Sequence, residues 1–324
     1  MNFFRALLVA LGTACLLITG GAMAAEPHAF PNKALRIVVP FTAGSGSDSD
    51  SRFYGDLLGK KLGQPVVVEN RPGASGLIAV QSVKSAPADG YSILLASNSP
   101  MSVNPAVMKN LPYDPFKDFK PLVGSAVGPA AFVVAANSPY KTMQDVVAAA
   151  KREKRPVAVG NYSAGYQLVA AWLGTASGAQ INHISYKGGS QMVTDVIGGQ
   201  LELAIVDPSA FVEMHRDGRL RMLAVTGAKR MEAVREVPTM IESGFADFET
   251  YVWSSFFVRS ETPDDITRKL ITTLSEAMAQ PEAEVYRKQR GGEQLDLKGD
   301  EMRKFQLREY ERFKRVAETA GLVQ

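Results

Sequence analysis

Residues 36–48 read RIVVPFTAGSGSD: a β-branched run, a loop of small residues, then the opening of a helical pattern. Strand, small loop and helix in that order form the βα unit of a parallel sheet. The same order recurs around residues 97–99 (SNS), 161–165 (NYSAG), 187–190 (KGGS) and 207–209 (DPS). A helix N-terminus offers N–H groups without intrahelical partners and the positive end of the helix dipole. Several gathered together make an anion site that needs no Arg or Lys. The pattern therefore points to carboxylate binding.

Outward from this stretch, strands and helices alternate. RIVVPF (36–41), a helix over about 48–62, PVVVEN (65–70), a helix over about 76–85 and YSILLAS (91–97) predict a parallel sheet with helices on both faces. In the first helix Phe53, Leu57 and Lys61 share one row, and Tyr54, Leu58 and Leu62 the next. A second series runs through AFVVAA (131–136), PVAVGNY (156–162), INHISYK (181–187), LELAIV (201–206) and RMLAVTG (221–227), with helices between them. YVWSSFFV (251–258) then returns to strand character. The rest reads as helical, with Met302, Phe305, Phe313, Val316 and Ala320 on one face of a long last helix.

Two series predict two α/β lobes, each a mostly parallel sheet flanked by helices. The tail is expected to pack back on the first, so that lobe 1 comprises 31–127 and 251–324 and lobe 2 comprises 128–250. Hinges are expected near 125–129 and 248–252. Ligands of open α/β sheets sit outside the carboxyl ends of the strands, which places the small loops in the cleft between lobes.

Composition agrees with a globular protein of about two domains: 324 residues, 46% of them hydrophobic. A formal net charge of +3 argues against nucleic acid as a partner. Arg5, an apolar run over 6–18 and Ala22-Met23-Ala24 read as a secretory signal, residues 1–24, cut after Ala24. The apolar run is too short for a membrane anchor. Cys15, the only cysteine, lies inside this signal, so the mature chain has no thiol, which suits an oxidising compartment. The residues around Cys15 fit a lipidation site poorly, because Gly12 replaces a large aliphatic residue.

The candidate contacts follow from the loops. The first supplies Phe41, Thr42, Gly44, Ser45, Gly46 and Asp48, with Asp48 expected as the helix N-cap. The second supplies Ser97, Asn98 and Ser99. The third supplies Tyr162, Ser163, Ala164, Gly165 and Tyr166, Ser163 being the expected N-cap. Tyr186, Gly188, Gly189 and Ser190 belong to the fourth and Asp207 to the fifth. With Trp253, the aromatic members could clamp an apolar ligand body. No nucleophile and base pair emerges: Ser138-x-x-Lys141 lacks its partner motifs, and residues 160–163 lack G-x-S-x-G spacing. His28, His183 and His215 have no metal-ligand spacing, and Gly44-x-Gly46 ends on Ser49 where a dinucleotide loop has glycine. No catalytic residue, metal or organic cofactor is expected. The basic residues from 287 to 315 alternate with acidic ones and read as a solvated helix face.

At these residues the chain resembles the tripartite tricarboxylate transporter substrate-binding receptors, the Bug receptors. The matching stretches include VVPFTAGSGSD (38–48), LGQPVVVENRPGASG (62–76), NLPYDPFKDFKPL (110–122) and SYKGGSQMVTDVIGGQ (185–200). The resemblance implies a type 2 periplasmic binding protein fold and a monomeric, non-enzymatic receptor. Such a receptor closes two lobes on a small organic carboxylate (a dicarboxylate, tricarboxylate or aromatic acid) and presents it to membrane permease subunits. It further implies ligand contacts in the first, second and fourth loops and at Asp207. The chain departs from the family pattern at residues 161–164 (NYSA), at Gln167-Leu168 and within the first loop, so ligand identity does not carry over. A periplasmic sensor, or a hydrolase or transferase using the same cleft, are the other readings.

Overall fold

Two five-stranded sheets organise the chain in a computed structural model that describes residues 30–290, 292–319 and 321–322. The predicted signal with Cys15, together with His28 and Ala320, lies outside the described residues. From the N-terminal side the elements are β1 (Leu35–Val39), α1 (Gly46–Leu62), β2 (Val66–Asn70), α2 (Leu77–Lys84), β3 (Ser92–Ser97), α3 (Asn104–Val107), β4 (Phe119–Pro129) and β5 (Ala131–Ala135). Then come α4 (Met143–Glu153), β6 (Val157–Asn161), α5 (Ala164–Ser177), β7 (Ile181–Ser185), α6 (Gly189–Ile197), β8 (Leu203–Val206), α7 (Val212–Arg216) and β9 (Leu220–Val225). The chain ends with β10 (Tyr251–Arg259), α8 (Asp264–Met278), α9 (Pro281–Arg290) and α10 (Gly299–Thr319).

The sheets share one topology. The first has the order β2-β1-β3-β10-β4 and the second β7-β6-β8-β5-β9. In each, the first three strands are parallel and the fourth runs against both neighbours. That reversed strand is the one that arrives from the other sheet. β5 follows β4 after Ala130 alone, and β10 follows β9 through residues 226–250. The two passages run side by side: the Thr226 hydroxyl accepts from Ala130 N–H at 2.8 Å and donates to the Thr250 carbonyl at 2.7 Å. Central strands are buried on both faces, as the near-continuous apolar runs require; Ile37, Val38 and Val39 in β1 and Leu203 to Val206 in β8 are fully enclosed.

The last helix packs where its apolar row directs it. Met302 and Phe313 are buried, and Gln306 is fully enclosed, donating to the Met101 carbonyl at 2.9 Å. Phe313 and Ala317 also join Ala164 and Leu168 of α5, so α10 touches helices belonging to both sheets.

Strand β4 is the element that the sequence pattern does not announce. Its residues, FKPLVGSAVGP, include Pro121, Gly124, Gly128 and Pro129, which read as turns. Two irregularities in its pairing with β10 fall between Pro121 and Ala126, around Gly124, while Gly128 and Pro129 pair in regular register with Val252 and Tyr251. Its outer edge is covered by residues 293–298, with Gly124 N–H reaching the Leu297 carbonyl at 2.8 Å and Val127 N–H reaching Glu293 at 3.0 Å. Gly124 is needed because a Cβ there would overlap the Leu295 carbonyl. Gly124→Ala should therefore lower unfolding free energy by about 1–3 kcal/mol in urea titration, the cost of overpacking; an unchanged midpoint would contradict this packing.

Candidate functional site

The loop after β1 is held by its own polar residues. Gly44 adopts φ +81°, the left-handed region open to glycine, and its N–H donates to Asp48 Oδ2 at 2.9 Å. Ser45 is the N-cap of α1, accepting from Asp48 N–H at 3.2 Å. Asp48 is thus the third helical residue rather than the cap expected from sequence. It is buried, also receives Asn70 Nδ2 at 2.9 Å and pairs with Arg52 at 2.9 Å. Burial alone would raise its carboxyl, but Arg52, the Gly44 N–H and Asn70 together hold it below its ordinary value. Its role here is to brace the loop. The first two helical N–H groups, on Gly46 and Ser47, donate to no group of the described residues.

Between the sheets lies a cleft with about 920 Å³ of free volume, counting space open to solvent. Of the expected contacts, Phe41, Ser45, Gly46, Ser97, Asn98, Ser99, Tyr162, Ser163, Gly165, Tyr166 and Asp207 line it. Phe41 meets Tyr162 edge to face at 5.6 Å, and Tyr162 meets Tyr166 at 4.9 Å, forming an apolar wall. Burial first, then the charge of nearby Asp207, pushes the Tyr162 hydroxyl well above its ordinary range. Trp253 also lines the cleft and packs edge to face on Phe305.

The other expected contacts lie beside the cleft. Gly188 is extended at φ −176°, so its glycine is not required by backbone conformation; a Cβ there would overlap Thr42 of the opposite sheet's loop. Ser190 Oγ reaches the Ala43 carbonyl at 3.4 Å. Gly189 faces Tyr162 and Phe211. Tyr186 donates to Asp195 at 2.8 Å, and burial together with that carboxylate pushes its hydroxyl up to about 12. Ser163 caps α5 as expected, but the next two N–H groups are already used. Ala164 N–H donates to Ser75 Oγ and Gly165 N–H to Ser99 Oγ, both at 3.1 Å and both on the first sheet's side. The five helix starts do not all face the cleft; the α1 start lines it and keeps its Gly46 and Ser47 N–H groups unpaired among the described residues.

Sequence reasoning missed a charged wall. Asp50 and Tyr54 of α1 and Tyr286, Arg287 and Arg290 of α9 all line the cleft. The reading of residues 287–315 as a solvated face is therefore corrected at Arg287 and Arg290. Arg287 donates to the Met278 carbonyl at 3.0 Å and to Tyr54 Oη at 3.4 Å; Arg290 lies 5.3 Å over the Tyr286 ring. The signal was present in the spacing. Asp50 continues the row of Tyr54, Leu58 and Leu62, and Tyr286 and Arg290 are four apart on one helix face. Residues 125–129 and 252–254 complete the floor, where the Ser125 and Ser254 hydroxyls are 2.7 Å apart.

Asp50 accepts from Tyr286 Oη at 2.9 Å. Burial outweighs the lowering influence of Arg290 and this hydrogen bond, and raises its carboxyl from 3.8 to about 6. Its contribution to stability is therefore fully present below pH 3.8 and is lost as pH rises through 6. Asp50→Asn keeps the acceptor for Tyr286 and should stabilise the protein at pH 7.5 by about 1–2 kcal/mol, allowing for partial exposure, while changing little below pH 4. Chemical denaturation at the two pH values checks this, and equal effects at both would contradict it.

Comparison with known proteins places this geometry in a family. Residues 51–322 match the profile of the tripartite tricarboxylate transporter family receptor. BugT of Bordetella pertussis is 32% identical over 283 residues, covering 86% of each chain. Among solved structures, the periplasmic binding protein BugD superposes with a TM-score of 0.86 at 28% identity, over 91% of this chain and 99% of its own. Rpa4515 of R. palustris, solved with adipate, gives a TM-score of 0.86 at 30% identity, over 90% of this chain and 98% of its own. With the two-sheet fold and the cleft between its sheets, these matches establish that the chain belongs to the tripartite tricarboxylate transporter (Bug) receptor family, whose members have the periplasmic binding protein fold.

Proposed function

We propose that the chain is a non-enzymatic periplasmic receptor that captures a small organic carboxylate in this cleft and delivers it to membrane permease subunits. The observation that carries the reading is the α1 N-terminus, whose Gly46 and Ser47 N–H groups open on an aromatic-lined cleft. The adipate bound to the relative Rpa4515 supports the ligand class. In this reading residues 128–250 move as one lobe against residues 31–127 and 251–324, about the paired passages at Ala130 and residues 226–250, and ligand favours the closed arrangement.

A thermal-shift panel of dicarboxylates, tricarboxylates and aromatic acids tests the ligand class. A true ligand at 100 times its Kd should add about 2.7 kcal/mol to stability. A panel in which no acid shifts the melting transition would sink the carboxylate reading.

Closure has its own test. Gly188 lets the loop before α6 approach Thr42, and extended backbone at 188 accepts any residue, so Gly188→Val should leave the protein folded. The side chain would hold the loops apart, and affinity for the acid identified by the panel should fall more than 100-fold. Adding Thr42→Gly should recover much of the loss. Ser190→Ala, which removes one long contact at the exposed rim, should cost less than tenfold. Wild-type affinity in Gly188→Val would show that the loops need not meet.

A further inference from the structure

Asp50 stands one helical turn after Gly46 on α1, so the two share a face of the helix, and both line the cleft. Its Oδ1 accepts from Tyr286 Oη of α9 at 2.9 Å. The charged and titratable groups around it come from three places. Tyr54 belongs to its own helix, Tyr286, Arg287 and Arg290 belong to α9, and Asp207 follows β8 of the other sheet. The two arginines act on Asp50 through their charge and not through a hydrogen bond, and the Asp207 carboxylate opposes them. Among the described residues neither His183 nor His215 lines the cleft. Burial pushes the hydroxyls of Tyr54, Tyr162, Tyr166 and Tyr286 upward. Asp50, by contrast, is drawn towards neutral pH.

An acid held at the Gly46 and Ser47 N–H groups places negative charge about one turn from this carboxylate. Like charge nearby disfavours the ionised form of a carboxyl. The acid also displaces water from the cleft, which withdraws solvation from Asp50, and it shares the positive charge of Arg287 and Arg290 that otherwise holds Asp50 down. All three effects act in one direction. We propose that capture of an organic acid in this cleft takes up one proton from solvent, carried by Asp50. The proton goes to Oδ2, since Oδ1 accepts from Tyr286. The complex then gains one negative charge fewer than the acid brings. Such uptake rests on the carboxylate-receptor reading of the cleft, whichever acid is taken. Because the carboxyl rises on binding, affinity is greatest below about 6, where Asp50 is protonated with or without the acid. It falls as pH rises towards the carboxyl's value in the complex, by at most about tenfold per pH unit.

Titration calorimetry at pH 7.5 in phosphate and in Tris, buffers that differ in heat of ionisation, counts the protons taken up per acid bound. Succinate, glutarate, tricarballylate, benzoate and nicotinate serve as probes, being almost wholly ionised at that pH. Each probe that binds should take up about half a proton or more, and its affinity should fall between pH 6.5 and pH 8.5. Asp50→Asn removes the titrating group. Uptake should then drop to near zero, the pH dependence should flatten, and binding at pH 8.5 should be about tenfold tighter than in the unaltered protein. Equal heats in the two buffers for every probe that binds overturn the proposal and leave the receptor reading standing, as does uptake that persists in Asp50→Asn. If no probe binds, both fall together. Should Asp50→Asn not fold, Tyr286→Phe takes its place, keeping a ring to stack on Phe53 but removing the hydrogen bond that favours the charged carboxyl. It should move the pH of greatest uptake upward, and an unmoved maximum rules out Asp50 as the carrier.

Discussion

The Thr226 hydroxyl holds together the two passages between the sheets, accepting from one and donating to the other. Each bond contributes only about 0.5–1.5 kcal/mol. The constraint matters more than its energy, because it holds side by side the two places where the chain passes between the sheets. Each passage ends as the reversed strand of the sheet it enters. The cleft lies next to these passages, with residues 125–129 and 252–254 as its floor.

Close approach at that mouth depends on small residues and on hydroxyls that cross between the sheets. Gly46 lies against Asp207, Gly188 against Thr42 and Gly165 against Ser99. Ser75 and Ser99 satisfy the first N–H groups of α5 from the opposite side. The α5 terminus thereby serves the contact between sheets and is no longer free for a ligand. The α1 terminus differs because Ser45 and Asp48 are occupied in bracing their own loop, leaving Gly46 and Ser47 unpaired.

The wall opposite these loops is of another kind. Helix α9 brings Tyr286, Arg287 and Arg290 against Asp50 and Tyr54 of α1, reinforced by the stacking of Phe53 on Tyr286 at 4.0 Å. Here charge and aromatic surface share one face of the cleft.

Most of the fold was legible from local pattern. Nine of the ten strands and the rows of α1 and α10 follow from apolar periodicity, because a strand or helix that buries one face must repeat with its own period. β4 escaped because Pro and Gly weaken the pattern, and its pairing with β10 and the covering segment 293–298 compensates for them only after folding. The sequence alone determined that small loops precede helices and that the chain crosses between two α/β series. Which helix starts keep free N–H groups was decided only by tertiary structure, because Ser75 and Ser99 lie far along the chain from the donors they satisfy. The charged wall was decided the same way. Nothing local distinguishes Arg290 from its solvated neighbours until α9 packs against α1 and carries its charge into the cleft.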